Sequence, residues 1–166
     1  MSQFHLVRVM RERIARLGNK AALRVQQDGQ RRAIGWRTLG QAMDYCAQAL
    51  IRAGHQPTEM VGLYARNMPE WTQADLGILA ARGVSVPIYP TSTLEQLRYI
   101  VRDANIGLLF VGEQAQFDQA LAFVAVATGQ RVRAGAGQVH RARVQPGRPA
   151  APAGRALCRA DVPGRW

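Results

Sequence analysis

The sequence predicts an α/β fold built on a parallel sheet, and three observations carry that reading. Residues 61–90, VGLYARNMPEWTQADLGILAARGVSVPIYP, read as strand, turn, helix, turn and strand. A unit of that length implies two parallel strands joined by a right-handed crossover. The candidate strands 60–65 and 107–111 are short, continuous apolar runs, as strands buried on both faces are. Strand and helix keep alternating to about residue 124, which is the order of a doubly wound sheet. The predicted class is a partial doubly wound parallel sheet, preceded by a helix and a β-hairpin and followed by a disordered tail rich in Arg, Ala, Gly and Pro.

Taken in order, Phe4, Val7, Met10, Ile14 and Leu17 recur at helical spacing, with Arg8, Arg11, Arg13 and Arg16 mostly elsewhere around the helix. A basic amphipathic helix can lie on a membrane surface or act as an organelle transit peptide. This one runs straight into the fold through Gly18-Asn19, so it is read as a helix docked on the domain that follows. Residues 22–27 and 31–36 flank Asp28-Gly29-Gln30, a hairpin signal with a three-residue loop. Thr38 precedes Gln41 in capping-box spacing, and Leu39, Ala42, Met43, Cys46, Ala49 and Leu50 form an apolar stripe that Gly54 ends. His55 and Pro57 occupy the loop before the first core strand. With no nucleophile or carboxylate indicated beside it, His55 reads as a solvent-exposed loop histidine and not as a catalytic base.

In the central unit Asn67 is placed to cap a helix, Pro69 lacks an N–H where none is needed, and Glu70 follows Asn67 at capping-box spacing. Trp71, Ala74 and Ile78 give the helix its period, and Gly83 is expected to end it in a left-handed conformation. Pro87 marks the return strand as an end or an edge, because it cannot donate to a ladder. Ser92 and Glu95 make the next capping-box pair, ahead of the buried stripe Leu94, Leu97, Ile100, Val101 and Ala104. Asn105 ends that helix, 107–111 is the third strand, and Gly112 turns into a helix of about ten residues carrying Phe117, Leu121 and Val124.

Composition narrows the functional classes. A chain near this length can bury roughly 68–70% of its unfolded surface, enough for one domain core. No apolar run approaches the roughly 18 residues of a membrane span, and the charged N-terminus lacks a signal-peptide apolar core. Cys46 and Cys158 read as free thiols of a reducing compartment, and His5, His55 and His140 are too scattered to hold zinc. The formal net charge of +11 is uneven. Residues 127–166 hold eight Arg and one acid, Asp161, a net of +7, against +4 for the first 126 residues. The division is therefore a domain over 1–125 and a tail over 126–166 that cannot bury enough apolar surface to offset its backbone entropy. Ala, Arg, Gly and Pro are also what GC-rich codons yield in the wrong frame, so a frameshift near residues 121–128 is expected.

Several stretches then point to a family. Ile34-Gly35-Trp36-Arg37-Thr38-Leu39 resembles the first core motif of adenylate-forming (AMP-binding) enzymes, and residues 79–90, LAARGVSVPIYP, resemble the second. Asn67-Met68-Pro69-Glu70-Trp71, residues 87–96 and the opening HLVRVMRERIARLGNKAALRV are most similar to bacterial long-chain fatty-acid–CoA ligases. The resemblance covers roughly residues 4–125 and implies the ligase reaction of that family. There ATP activates a fatty acid to an acyl-adenylate, pyrophosphate leaves, and the acyl group passes to the thiol of coenzyme A, with Mg²⁺ assisting. The family's Thr-Ser-Gly-Thr-Thr-Gly phosphate loop, its threonine–glutamate segment, its ribose-binding aspartate and its C-terminal lysine have no counterpart in these 166 residues. No catalytic, cofactor-binding or metal-ligating residue is therefore assigned, and no cofactor is expected on this chain alone.

The resemblance implies a truncated, silent portion of a cytoplasmic ligase, peripheral at the inner membrane surface, whose remainder could be separately encoded. Isolated, such a portion is expected to be poorly soluble or molten, because an unfinished sheet leaves an open edge. The alternative is a small α/β binding module whose Arg-rich tail takes nucleic acid or another polyanion, although the tail carries no stacking aromatic besides Trp166. Gly135-Ala136-Gly137 begins like a phosphate loop but lacks the third glycine and the flanking strand and helix. At the carboxyl ends of the strands, where ligands of open sheets bind, lie Arg66-Asn67, Tyr89-Pro90-Thr91 and Gly112-Glu113. Each has a sufficient structural reading: Asn67 and Ser92 as caps, Tyr89 as packing, Arg66 as a solvated charge.

Overall fold

A computed structural model describes residues 5–27, 29–128 and 140–143. Its elements are α1 (Leu6–Leu17), β1 (Ala21–Gln27), β2 (Gln30–Gly35), α2 (Trp36–Arg52), β3 (Met60–Tyr64), α3 (Pro69–Ala80), β4 (Val84–Ile88), α4 (Leu94–Asp103), β5 (Leu108–Val111), α5 (Gln114–Thr128) and β6 (His140–Arg143). They fall into two compact units: a helical unit of residues 1–57 with 67–83, and a sheet unit of residues 58–66 with 84–166.

In the helical unit α1 is docked, as its link to the fold implied. Met10 and Ile14 join a core of Leu39, Met43 and Leu76, with Leu23, Ile34 and Trp36 beside it. Gly40 allows the approach, since a Cβ there would stand 2.8 Å from Ile14 Cδ1. The hairpin pairs antiparallel out to Gln27↔Gln30, so positions 28 and 29 make a two-residue connection in place of the expected three. Trp36 heads α2, and no capping box forms at Thr38 and Gln41, because the helix starts earlier. The N–H groups of Trp36 and Arg37 donate to the carbonyls of Lys20 and Gly18, at 3.0 and 2.8 Å. Main-chain acceptors thus satisfy the first turn, and a side-chain cap has nothing left to do. Asn67 is likewise not the cap of α3; Met68 holds that position and Pro69 follows it.

Helices α2, α3 and α4 end in one motif. The residue after the cap is left-handed, and two N–H groups fold back on the last turn. Gly54 (φ 84) donates to the Ile51 carbonyl and His55 to that of Leu50. Arg82 (φ 62) donates to Leu79 and Gly83 to Ile78. Asn105 (φ 50) donates to Arg102 and Ile106 to Val101. At α3 the left-handed residue is therefore Arg82 and not Gly83, which corrects the sequence reading. Gly83 is required for space: an added Cβ would stand 2.5 Å from His55 Nε2. His55 itself is only 8% exposed, so it is a buried histidine and not the solvent-exposed one expected.

The sheet unit has strand order β4-β3-β5-β6. Strands β4, β3 and β5 run parallel, in the register Val61↔Ser85 and Val61↔Leu108. Pro87 is exposed on the edge strand β4, where a missing donor costs nothing. Tyr64, Ile88, Leu109 and Val111 meet Leu97 and Val101 of α4 and Phe117 of α5 in one core. Val61, Leu63 and Phe110 are buried as well, so β3 and β5 are covered on both faces as their apolar runs required. The capping box of α4 is formed by Thr93 and Gln96, one residue after the expected Ser92 and Glu95. Helix α5 spans 15 residues, longer than expected, and crosses the boundary drawn at 125. Within the tail, 140–143 pair antiparallel with β5, where the sequence predicted no structure. The rest of 129–166, with Cys158 and the Gly135-Ala136-Gly137 stretch, lies outside the described residues.

Candidate functional site

The carboxyl rim of β3, β4 and β5 is where a parallel sheet places its ligands. It is held together by polar side chains that point into the protein. Tyr64 ends β3 with its ring fully buried. Its hydroxyl donates to Gln119 Oε1 of α5 and lies 3.1 Å from the Ser92 carbonyl oxygen. Gln119 Nε2 donates to that same carbonyl at 3.2 Å. Gln116, one turn earlier, donates to the Pro90 carbonyl at 3.4 Å. The β4–α4 loop is thus tied at two carbonyls to α5, and through Tyr64 to β3. Burial raises the Tyr64 pKa above its ordinary value, which keeps the phenol neutral and able to donate. The Gly112 N–H donates to the Tyr64 carbonyl, and Arg66 pairs with Glu113, so the ends of β3 and β5 are pinned as well.

The side chains read from sequence take altered places on this rim. Arg66 is exposed yet ion-paired to Glu113, so it is not simply a solvated charge. Ser92 contributes its carbonyl and not a cap. Tyr89 does not pack: it is 81% exposed and lines an open groove of about 690 Å³ with Thr91, Glu95 and Tyr99. The residues that sequence reasoning missed are Tyr64, Gln116 and Gln119. A signal existed, since Gln116 and Gln119 stand at i and i+3, on the side of α5 that also carries Phe117 and Ala120.

A nucleotide with Mg²⁺ requires a cradle of N–H donors for phosphate, carboxylates for the metal and a cation for developing charge. The described residues do not fit it. The rim cation Arg66 is committed to Glu113, and the Thr93 hydroxyl and N–H are both engaged with Gln96. Glu95 is the one carboxylate on the groove, and no group of three or more His, Cys, Asp or Glu able to hold a metal ion occurs among the described residues.

Parallel strands with helical connections and a rim at their carboxyl ends define an α/β protein of the ligand-binding open-sheet class. Within that class the chain belongs to the AMP-binding enzyme family, whose model matches residues 10–156. The match runs past residue 125, where the motif resemblance stopped. The chain is 33% identical over 118 residues to the long-chain-fatty-acid–CoA ligase ACSBG2 of Rattus norvegicus, covering 68% of this chain and 17% of that ligase. It is 39% identical over 64 residues to a long-chain-fatty-acid–CoA ligase of Mycobacterium bovis, 39% of this chain and 11% of the relative. The chain thus spans less than a fifth of the length of these relatives. Among solved structures, the fatty acid AMP ligase of Legionella pneumophila superposes with a TM-score of 0.59 at 27% identity, over 63% of this chain and 19% of that one. The N-terminal subdomain of Klebsiella oxytoca NpsA shares the fold at 20% identity, with a TM-score of 0.59 over 64% of this chain and 27% of that one. Among the described residues no helix is long and apolar enough to cross a membrane.

Proposed function

We propose that this chain forms the N-terminal scaffold of a long-chain acyl-CoA synthetase and does not turn over by itself. The reaction it serves is ATP-dependent activation of a fatty acid to the acyl-adenylate, followed by thioester formation with coenzyme A. The observation that carries this is the similarity to long-chain-fatty-acid–CoA ligases of rat and mycobacterium, joined to the family match. The rim supports the silent reading, because its polar groups are engaged in tying loops and not arranged around phosphate. The site of action is cytoplasmic, peripheral at a membrane surface where fatty acids partition, and the phosphate-gripping residues lie in family segments other than these 166 residues. ATP–pyrophosphate exchange with a fatty acid tests this. The purified chain is expected to give none, and to give exchange once the remaining family segment is supplied in trans. Exchange by the chain alone would overturn the silent reading.

The tail is proposed to be a frameshift product. The family match through residue 156 weighs against the frameshift. Translating the downstream DNA in the other two frames tests it: a TSGTTG-like segment is expected there, and its absence from both frames would remove the idea.

A further inference from the structure

The open groove beside the β4–α4 loop carries aromatic and acidic groups that the rim does not use. Tyr89 and Tyr99, 81% and 68% exposed, both line it, with exposed Thr91 and Glu95 and half-buried Ile100. Glu95 and Tyr99 are four residues apart, so they share one face of α4. Among the described residues the two phenolic hydroxyls and the Glu95 carboxylate make no hydrogen bond or ion pair. No lysine or arginine is among the residues lining the groove. The sheet unit through residue 128 carries three Arg against five Asp and Glu, a net of −2, so its charge does not oppose a cation.

The loop that forms one end of the groove is fixed from behind. The Ser92 N–H donates to the Tyr89 carbonyl at 3.0 Å, and buried Gln116 holds the carbonyl of Pro90. Tyr64 and Gln119 hold the Ser92 carbonyl, and Thr93 with Gln96 closes the capping box. A surface set in advance loses little entropy on binding. Its form then selects the ligand. Small ligands are mostly enclosed by their pockets, and this groove is open. Strand addition needs a sheet edge, and none of the lining residues belongs to a strand. An amphipathic helix needs an aliphatic trough, and Ile100 is the one aliphatic residue in the lining. A nucleic acid could stack on the tyrosines, but it would bring its phosphates against Glu95 with no lysine or arginine to receive them. Polyproline II segments dock on exposed aromatic side chains, and their solvated carbonyls accept from phenolic hydroxyls. Glu95 adds a partner for a guanidinium. We propose that this groove docks a proline-rich, arginine-bearing segment of a partner protein in the polyproline II conformation. Neither ATP nor fatty acid enters its test, so the test stands apart from the ligase reading.

Fluorescence anisotropy of a dye-labelled peptide, APPRPAPPAP, against the full chain provides that test. Saturable binding is expected, and none for the same peptide with glycine at every proline. Tyr89→Ala and Tyr99→Ala should each weaken binding about fivefold or more. Glu95→Gln should weaken it about two- to fivefold, and should have no effect on a peptide whose arginine is replaced by glutamine. A merely structural role for Glu95 would not give that coupling. Helicity by circular dichroism should be unaltered, since all three side chains are exposed. The chain also carries prolines three apart at Pro146, Pro149 and Pro152. Peptide binding that appears only when those three are replaced by alanine would assign the groove to the chain's own segment and overturn the partner reading. The proposal is overturned as well by the absence of saturable binding to either form, by equal binding of the glycine peptide, or by affinity indifferent to both tyrosine changes.

Discussion

Gly83 and its neighbour Arg82 exchange the roles that residue type alone suggests. The arginine sits in the left-handed region, at a cost of roughly 1–2 kcal/mol, while the glycine sits where a side chain would strike His55. Arg82→Gly should therefore stabilise the protein by up to about 1 kcal/mol, and Gly83→Ala should destabilise it by about 1–3 kcal/mol. Urea midpoints check both, and a stabilising Gly83→Ala would refute the contact. Tyr64 offers a second test. Its folded pKa is raised by burial, so the folded state holds the phenolic proton more tightly than the unfolded chain. Its stabilising contribution is full below the unfolded pKa near 10 and is lost as pH climbs through the raised folded value. Tyr64→Phe should lower stability by about 1–2 kcal/mol at neutral pH and flatten the fall above about pH 10. Melts of both proteins between neutral and alkaline pH measure the difference.

At the scale of elements, the periods were legible and the ends were not. The strand–helix–strand core, the hairpin, the docked first helix and the edge placement of Pro87 all follow from residues read in order. Every capping box inferred from spacing was misplaced, because Ser/Thr/Asn three residues before Glu/Gln occurs at more than one offset. Which offset is used depends on what else reaches the first turn. Lys20 and Gly18 supply main-chain acceptors to α2, and the Ser92 carbonyl is taken by Tyr64 and Gln119. Thr93→Ala should cost about 1 kcal/mol, whereas Ser92→Ala and Thr38→Ala should stay within about 0.5 kcal/mol. A Ser92→Ala loss as large as that of Thr93→Ala would contradict the observed box. The packing of α2 on α3 makes a sharper demand. A Cβ on Gly77 would stand 2.4 Å from Cys46 Cβ. Gly77→Ala should destabilise by about 1–3 kcal/mol, and adding Cys46→Gly should recover part of that loss in a double-mutant cycle.

For the whole molecule, the excess of positive charge is the dominant long-range term. A net of +11 repels itself, and among the described residues of the helical unit Arg8 and Arg11 are neutralised by ion pairs of 3.7 and 2.7 Å. Melting temperature should accordingly rise as salt increases to about 0.15 M, where the screening length is near 8 Å. A fall over that range would mean that attractive pairs outweigh the repulsion. The open edge expected on β5 is covered over four residues by β6, which leaves β4, with its exposed Pro87, as the edge strand on the other side. The candidate site was least legible at this scale. Its position on the carboxyl rim followed from topology, but Tyr89 turned out exposed, Arg66 paired, and Tyr64 with two glutamines proved to be the anchor.

Period and composition determined the α/β class and the element order through α5, and motifs legible in the same residues carried the resemblance to the family and showed the want of a phosphate-gripping motif among them. Those properties depend on runs of neighbouring residues, which a chain displays in one dimension. Tertiary structure alone decided which residue caps each helix, which one adopts the left-handed turn, that His55 is buried, and that the rim's polar groups are engaged with one another. Each of these is a competition for one donor, one acceptor or one small volume, and the competitors come from positions far apart in the chain.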